Sequence, residues 1–274
     1  MKFRFASWNV NNRNLTDGHL RILREQQIHA VALQEVSAKF HTALTETDLF
    51  EWSAFSLDLR PVEAGEGRAR RLGCALYGRR PFRLSKPSLV PGLDFPERAL
   101  VASLKSEKAS LTVCSFHTPP GATWGEVKPR TLKTIAQWLP LQLTPLVFGI
   151  DANTPKTDHP DIAQNKWWWE DEPLLLGPSP LHALKDALRL YLEDHPDELA
   201  RAIAARPNGP LAVSHVRGNR RKMTDCRYDF IYISSDVRVR RVEYLFDESV
   251  KAVSDHALVV ADLEVIERTG ECGG

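Results

Sequence analysis

Most apolar runs in this chain have the length of a strand, and one after another they stop on a residue that can bind a metal or move a proton. "FASWN" stops on Asn9, "VALQE" on Glu35 and "TVCSFH" on His117. "LVFGIDAN" reaches Asp151 and Asn153, "RYD" sets Asp229 before the run "FIYI", and "SDH" sets Asp255 and His256 directly before "ALVVADL". Stretches with helical spacing lie between them. Strands that alternate with helices predict an α/β fold with many strands. Buried strands hold side chains rigidly, and their ends open to a cleft.

The remaining elements follow from periodicity and caps. Thr16 or Asp17 caps a helix with Leu20, Leu23, Gln27 and Ile28 on one face, and Ser37 caps a short helix in "SAKFHTALTETD". "PRTLKTIAQWL", "PLHALKDALRLYLEDH" and "DELARAIAARP" read as further helices. The second of these carries Leu181, Leu184, Leu188 and Leu192 on one face, and Pro207 ends the third. "LGCALYGR" and "ALVASLKS" read as strands, and "RYDFIYISSDVRVRRVEYLF" as two strands around a Ser-Ser-Asp turn. Residues 155–180, rich in Pro, Asp and Trp, form the longest stretch without an element, as functional loops often do. No break resembles a linker, so one catalytic domain is expected over 1–266 with a loose tail at 267–274.

Composition narrows the function classes. Lys and Arg number 36 against 35 Asp and Glu, so net charge gives no general attraction to polyanions or membranes. Basic residues do cluster locally, in "RARR" and in "RGNRRK". Cys74, Cys114, Cys226 and Cys272 lie far apart with no CxxC spacing, which argues against a zinc site or a disulfide framework. The start "MKFRFASWNVNN" lacks the apolar run of a secretion signal, and no run reaches membrane-spanning length. A soluble, reduced, cytoplasmic protein without membrane contact is expected.

Taken singly, the strand-end residues have ordinary roles: Asp and Asn favour turns, and Ser-Asp-His can cap an element. Their order is what distinguishes them. A set of carboxylates, amides and imidazoles from several strand ends suits a hard cation beside a proton-transfer pair. The series "WNVN", "LQE", "SFHTPP", "GIDAN", "RYDFIYIS" and "SDHALV" resembles the endonuclease/exonuclease/phosphatase superfamily, over nearly the whole span from Asn9 to His256. That superfamily includes pancreatic-type deoxyribonucleases, abasic-site endonucleases, inositol polyphosphate 5-phosphatases and neutral sphingomyelinases. "GIDAN" matches the family's Gly-Asp-x-Asn with Ile150 inserted before the Asp.

The resemblance implies a four-layer α/β sandwich, two mixed β-sheets packed face to face with helices outside. It implies hydrolysis of a phosphate ester with Mg²⁺ or Mn²⁺. Asn9 and Glu35 match the metal positions, with Glu35 the direct ligand, and Asp255 matches an acid that helps hold the metal. Asp151 and Asn153 match the pair that positions water and phosphate. His256 matches the catalytic histidine, Asp229 the carboxylate that orients it, and His117 a position that is tyrosine in abasic-site enzymes. The residues leave open whether Asp151 or His256 is the general base.

Substrate signals are thinner. Arg98, Lys128 and Arg130 lie close to motif strands and are candidates for phosphate contacts, with surface ion pairs the alternative. In "KWWWEDEP" the three tryptophans cannot all be buried on one face, so Trp168 is a candidate for stacking on a base or sugar, with packing of the loop the alternative reading. The adjoining Glu170, Asp171 and Glu172 disfavour a long polyanion there. Arg221 belongs to a basic loop that leads straight to Asp229. A nuclease acting on DNA or RNA is the leading expectation. A small-molecule or headgroup phosphatase or phosphodiesterase is the alternative, and a non-catalytic binding module of the same fold ranks last.

Overall fold

A computed structural model describes residues 1–219 and 222–266. In chain order the strands are β1 (Lys2–Asn9), β2 (Ala30–Val36), β3 (Trp52–Phe55), β4 (Gly73–Gly78), β5 (Arg83–Leu89), β6 (Ala99–Lys105) and β7 (Ser110–His117). They continue as β8 (Leu146–Asp151), β9 (Lys185–Asp186), β10 (His215–Asn219), β11 (Lys222–Cys226), β12 (Asp229–Ile233), β13 (Val237–Leu245) and β14 (Leu258–Val265). They form two six-stranded mixed sheets, ordered β13-β14-β1-β2-β4-β3 and β5-β6-β7-β8-β12-β9, and a separate β10-β11 ribbon.

Three apolar layers give the sandwich its four layers of backbone. The middle layer lies between the sheets: Phe3, Phe5, Ala32 and Leu76 of one meet Leu100, Val113, Val147 and Ile231 of the other. On the outer face of the first sheet, Trp8, Val31, Leu33 and Tyr77 pack against Ile22, Leu23, Phe40 and Leu44 from the helices Asp17–Glu25 and Ala38–Thr45. On the outer face of the second, Phe116, Phe148, Ile150 and Phe230 pack against Leu132, Ile135 and Ala136 of the helix Val127–Trp138. The side-chain period of two explains the layers, because alternate residues of each strand serve different cores. The four-layer α/β expectation is met.

The sheets approach closely near one end. A Cβ added at Gly149 would lie 2.4 Å from the Ser7 hydroxyl oxygen and 3.1 Å from the Ala32 Cβ. The small polar residues Ser7, Gln34 and Ser115 meet there, with Gln34 Nε2 donating to both hydroxyls at 3.2 Å. The glycine of "GIDAN" therefore serves the inter-sheet contact that precedes Asp151.

Several expectations are corrected. The first helix ends at Glu25, so Gln27 and Ile28 lie beyond it, and Thr16 is its cap. The helix expected from Pro180 begins only at Ala187: Lys185 and Asp186 pair with β12, and the Asp186 carboxylate caps the helix through Leu188 N–H. Leu181 is exposed. The two strands expected around Ser-Ser-Asp are present as β12 and β13, which lie in different sheets. β3, β5 and β9 are short, or polar and exposed along much of their length, and escaped the apolar-run criterion. Cys74, Cys114 and Cys226 are buried and free. Among the described residues, no helix is long and apolar enough to cross a membrane. Arg221 and the tail 267–274 lie outside the described residues.

A charged cluster ties the long loop to this frame. Arg227, fully buried, donates to Asp186 at 2.6 Å and reaches Asp158 at 3.4 Å, while Arg189 holds Asp158 at 2.6 Å. Burial of such a cation is tolerable only with partners on every side.

Gly149→Ala is predicted to destabilise the protein by about 1–3 kcal/mol, the usual cost of overpacking a tight core. Urea denaturation measures this, and Ser7→Gly in the same background should recover part of the loss.

Candidate active site

The site forms where inward-facing parity runs off the ends of the strands. Phe3, Phe5 and Ser7 face the other sheet, so Asn9 does too. The same count carries Leu111 and Val113 to His117, Val147 to Asp151, and Ile233 and Ile231 to Asp229. Glu35 breaks the count, since Gln34 already faces inward. A bulge between Leu33 and Val36 and a φ of +54° at Glu35 redirect its side chain. Its carboxylate thereby comes 3.4 Å from His117 Nε2.

Asp151 is the centre. It is fully buried and stands opposite Asp229 in the β8–β12 register. Its Oδ2 accepts from Asn9 Nδ2 at 2.7 Å and Asn153 Nδ2 at 3.3 Å, and its Oδ1 from the Asn153 N–H at 3.0 Å. Asn153 takes a left-handed φ of +50°, a conformation asparagine tolerates well, and this turns its amide back onto Asp151 and the Thr118 carbonyl. Burial, reinforced by the charge of Asp229, pushes the Asp151 carboxyl up to about 7 against the pull of His256 and the amide donors.

His256 supplies the opposing charge. Its Nδ1 lies 2.9 Å from Asp229 Oδ2 and its Nε2 3.9 Å from Asp151 Oδ2. Burial alone would lower its pKa, but the charges of Asp229 and Asp151 and the Asp229 hydrogen bond outweigh that and raise it to about 10. The ring is an imidazolium near neutrality. Ser254 explains the rest of "SDH": its hydroxyl donates to the Asn9 carbonyl at 2.7 Å and accepts from the His256 N–H at 3.1 Å. It splices the end of β1 to the histidine.

His117 has the opposite character. It is buried, and burial, with the charges of Arg98 and His256, drives its pKa well below the ordinary value. Arg98 Nη1 donates to its Nδ1 at 2.9 Å, so the ring's own proton sits on Nε2 and faces Glu35 and Asp151, the latter at 3.6 Å.

The expected residues thus divide. Asn9, Glu35, His117, Asp151, Asn153, Asp229 and His256 form one connected cluster. Asp255 is exposed, and its carboxylate groups with the imidazoles of His215 and His256. Arg98 is buried behind His117, to whose Nδ1 it donates. Lys128 is also buried: its ammonium donates to the Asn153 carbonyl at 2.6 Å and to Glu172 at 2.8 Å. Arg130 is paired with Asp94 at 3.1 Å on the exposed side of its helix. Trp168 is 43% exposed. The acidity expected beside it is reduced, because Glu172 is buried on Lys128, Thr154 and the Trp168 N–H, and Asp171 lies 3.5 Å from Lys133.

Sequence reasoning passed over Ser214 and His215. The Ser214 hydroxyl accepts from the N–H groups of Tyr228 and Asp229, at 2.8 and 3.1 Å, and the His215 ring lies 4.6 Å from that of His256. Neither residue ends an apolar run, so no periodic signal marked them.

The donor set fits a hard cation. Asp151 and Asp229 are wholly buried, Asp229 Oδ1 has no hydrogen-bond partner among the described residues, and ligand atoms of both aspartates and His256 lie within 4.8 Å of one another, whereas Glu35 keeps 23% of its side chain exposed. Carboxylates outnumber the imidazole in that group, which suits a cation that prefers oxygen ligands.

Residues 6–256 match the model of the Endonuclease/Exonuclease/phosphatase family. A search of curated protein sequences gives no match. Among solved structures, D. rerio TDP2 complexed with single-strand DNA product is 14% identical, with a TM-score of 0.67, covering 96% of this chain and 99% of that one. The human Nocturnin catalytic domain with bound sulfate is 19% identical, with a TM-score of 0.60 and coverage of 96% and 94%. The endonuclease domain of TRAS1, a telomere-specific non-LTR retrotransposon, is 15% identical, with a TM-score of 0.56 and coverage of 97% and 100%.

Asp229→Asn should lower the His256 pKa from about 10 toward its ordinary 6.5. A raised imidazole pKa supports the fold fully below the unfolded value, and that support fades as pH climbs through the folded one. The wild type in EDTA should therefore lose urea resistance from about pH 7 to about pH 10, and the variant less. NMR titration of the ring tests the pairing directly; an unmoved His256 would contradict it.

Proposed function

The chain belongs to the endonuclease/exonuclease/phosphatase family, and we propose that it is a divalent-metal-dependent hydrolase of phosphate esters whose leading activity is cleavage of DNA or RNA phosphodiester bonds. The observation that carries this reading is the buried Asp151–His256–Asp229 array, in which two carboxylates flank one imidazolium at the mouth of the sandwich. The neighbours lend support to the nucleic-acid reading, since one is complexed with single-strand DNA and another is an endonuclease domain.

A phosphodiester repels an attacking hydroxide, so the site must offset charge and also remove a proton. Glu35 is the acid assigned to hold Mg²⁺ or Mn²⁺, with Asn9 beside it and Asp255 as an outer acid acting through water. When bound, the cation offsets charge on the phosphate and the leaving oxygen.

The proton work falls to Asp151. Its carboxyl is raised to about 7, near the optimum for a general base at neutral pH. Asn9 and Asn153 hold it through the oxygens described above, so it can take a proton from an attacking water without swinging away. His256 is unsuited to that role because it is already protonated. It serves as a donor: Asp229 fixes Nδ1, and Nε2–H is left to a non-bridging oxygen, which gathers charge as the bond forms. Neutral His117, with Nε2–H turned into the site, supplies a second donor.

Purified protein, assayed with Mg²⁺, Mn²⁺ or EDTA on labelled single- and double-stranded DNA, RNA and small phosphate esters, tests the reading. Cleavage is expected with metal only, with kcat/KM rising through about pH 7. Asp151→Asn and His256→Ala should each reduce the rate by about 10²–10⁴-fold, the range for loss of a positioned proton-transfer group. Glu35→Gln should raise the metal concentration required. Undiminished cleavage in His256→Ala would contradict the mechanism. Intact oligonucleotides with turnover of a small ester would transfer the activity to a phosphatase or phosphodiesterase.

A further inference from the structure

We propose that the hollow between the loop 155–172 and the β10–β11 ribbon is a subsite for one unpaired nucleobase, with Arg217 and Lys156 taking an adjacent phosphate. The proposal rests on the hydrolase reading above and names its substrate class as single-stranded polynucleotide, or a duplex end that has frayed.

The hollow has a volume of about 450 Å³, within the range of small-ligand pockets. Trp168, Trp169, Tyr228 and His215 supply aromatic wall, and Asn153 and Lys128 join it to the candidate active site. The wall is continuous with the reacting centre. His215 lies stacked on Tyr228 at 5.6 Å and 24°, and its other neighbour is His256 at 4.6 Å and 31°. A planar group in the hollow therefore sits one aromatic ring away from the imidazolium that faces the phosphate.

Trp168 adds the charge element. The Lys156 ammonium and the Arg217 guanidinium each lie 4.8 Å from its ring centroid. Among the described residues, neither cation has a carboxylate within ion-pair distance. Two such cations lying over an exposed indole set positive charge against the aromatic wall and match the alternation of base and phosphate along a strand: the wall offers stacking surface, and the cations an electrostatic hold. Of the acids beside the tryptophans, Glu172 is buried on Lys128 and Asp171 leans on Lys133, which leaves Glu170 as the exposed one. A base still paired within a duplex cannot enter a hollow of this kind without leaving its stack. Stacking gives little choice among bases, so tolerance of sequence is expected.

The experiment uses a labelled single-stranded oligonucleotide, the same strand with one abasic residue moved stepwise along it, and the duplex, each with Mg²⁺. Wild-type protein should cleave the single strand at least about tenfold faster than the duplex. One abasic position next to the cut should slow it by about fivefold to a hundredfold, the range for loss of a base–aromatic stack. Trp168→Ala should abolish that sensitivity, Trp168→Phe should keep most of it, and Arg217→Gln should weaken KM with little change in kcat. Cleavage that ignores the abasic residue at every position would overturn the subsite while leaving the hydrolase reading intact. If no oligonucleotide is cleaved, tryptophan fluorescence with the same strand in EDTA decides separately. Quenching present in wild type and lost in Trp168→Ala supports the subsite, and its absence overturns it.

Discussion

Two buried carboxylates face each other across the β8–β12 ladder, and one imidazolium makes that arrangement tenable. Asp151 and Asp229 are both fully buried and are direct partners in the antiparallel register. Like charges in such a place are mutually destabilising, and burial penalises each of them. His256 answers both, tightly bonded to Asp229 and close to Asp151. The result is a separation of character between neighbours: a carboxyl drawn toward neutral pKa and an imidazole held cationic. Environments that push titratable groups apart are how a single fold assigns acid and base. Ser254 and Ser214 fix the backbone on either side, so the arrangement depends on the sandwich as a whole.

The sandwich can present this cluster because strand parity continues past the apolar core. Residues facing the other sheet are mainly apolar in mid-strand, small at Ser7, Gly149 and Ser115, and candidates for the site at Asn9, Asp151 and His117. Narrowing the sheets at Gly149 brings strands from both sheets close enough for side chains as short as Asp and Asn to touch.

Much of this was legible in the sequence, because it depends on local patterns. Each strand that carries a motif residue announced itself as an apolar run, and the order of the motifs identified the family. The directions of side chains from β1, β7, β8 and β12 follow from a count of two. What escaped depends on distant partners. Glu35 requires a bulge that no local pattern encodes. Asp186 looked like a helical residue because its leucine neighbours have helical spacing, yet it pairs with β12 and holds Arg227, forty-one positions away. Both strands around Ser-Ser-Asp were legible as β12 and β13, but their placement in different sheets was not, because a short turn gives no sign that it crosses from one sheet to the other. Glu172 looked like surface acid beside the tryptophans, but Lys128 draws it inside. His215 had no signal because its ring partners, Tyr228 and His256, come from elsewhere in the chain.

The central claim is that Asp151 and His256 act as one unit. A double-mutant cycle on the hydrolysis rate tests it most directly, comparing Asp151→Asn, His256→Ala and the combination in the same metal. Groups that act together lose their effect together, so the double variant should fall within about threefold of the slower single variant. Losses that multiply would mean that the two residues act independently, and the shared array would not be the source of the chemistry.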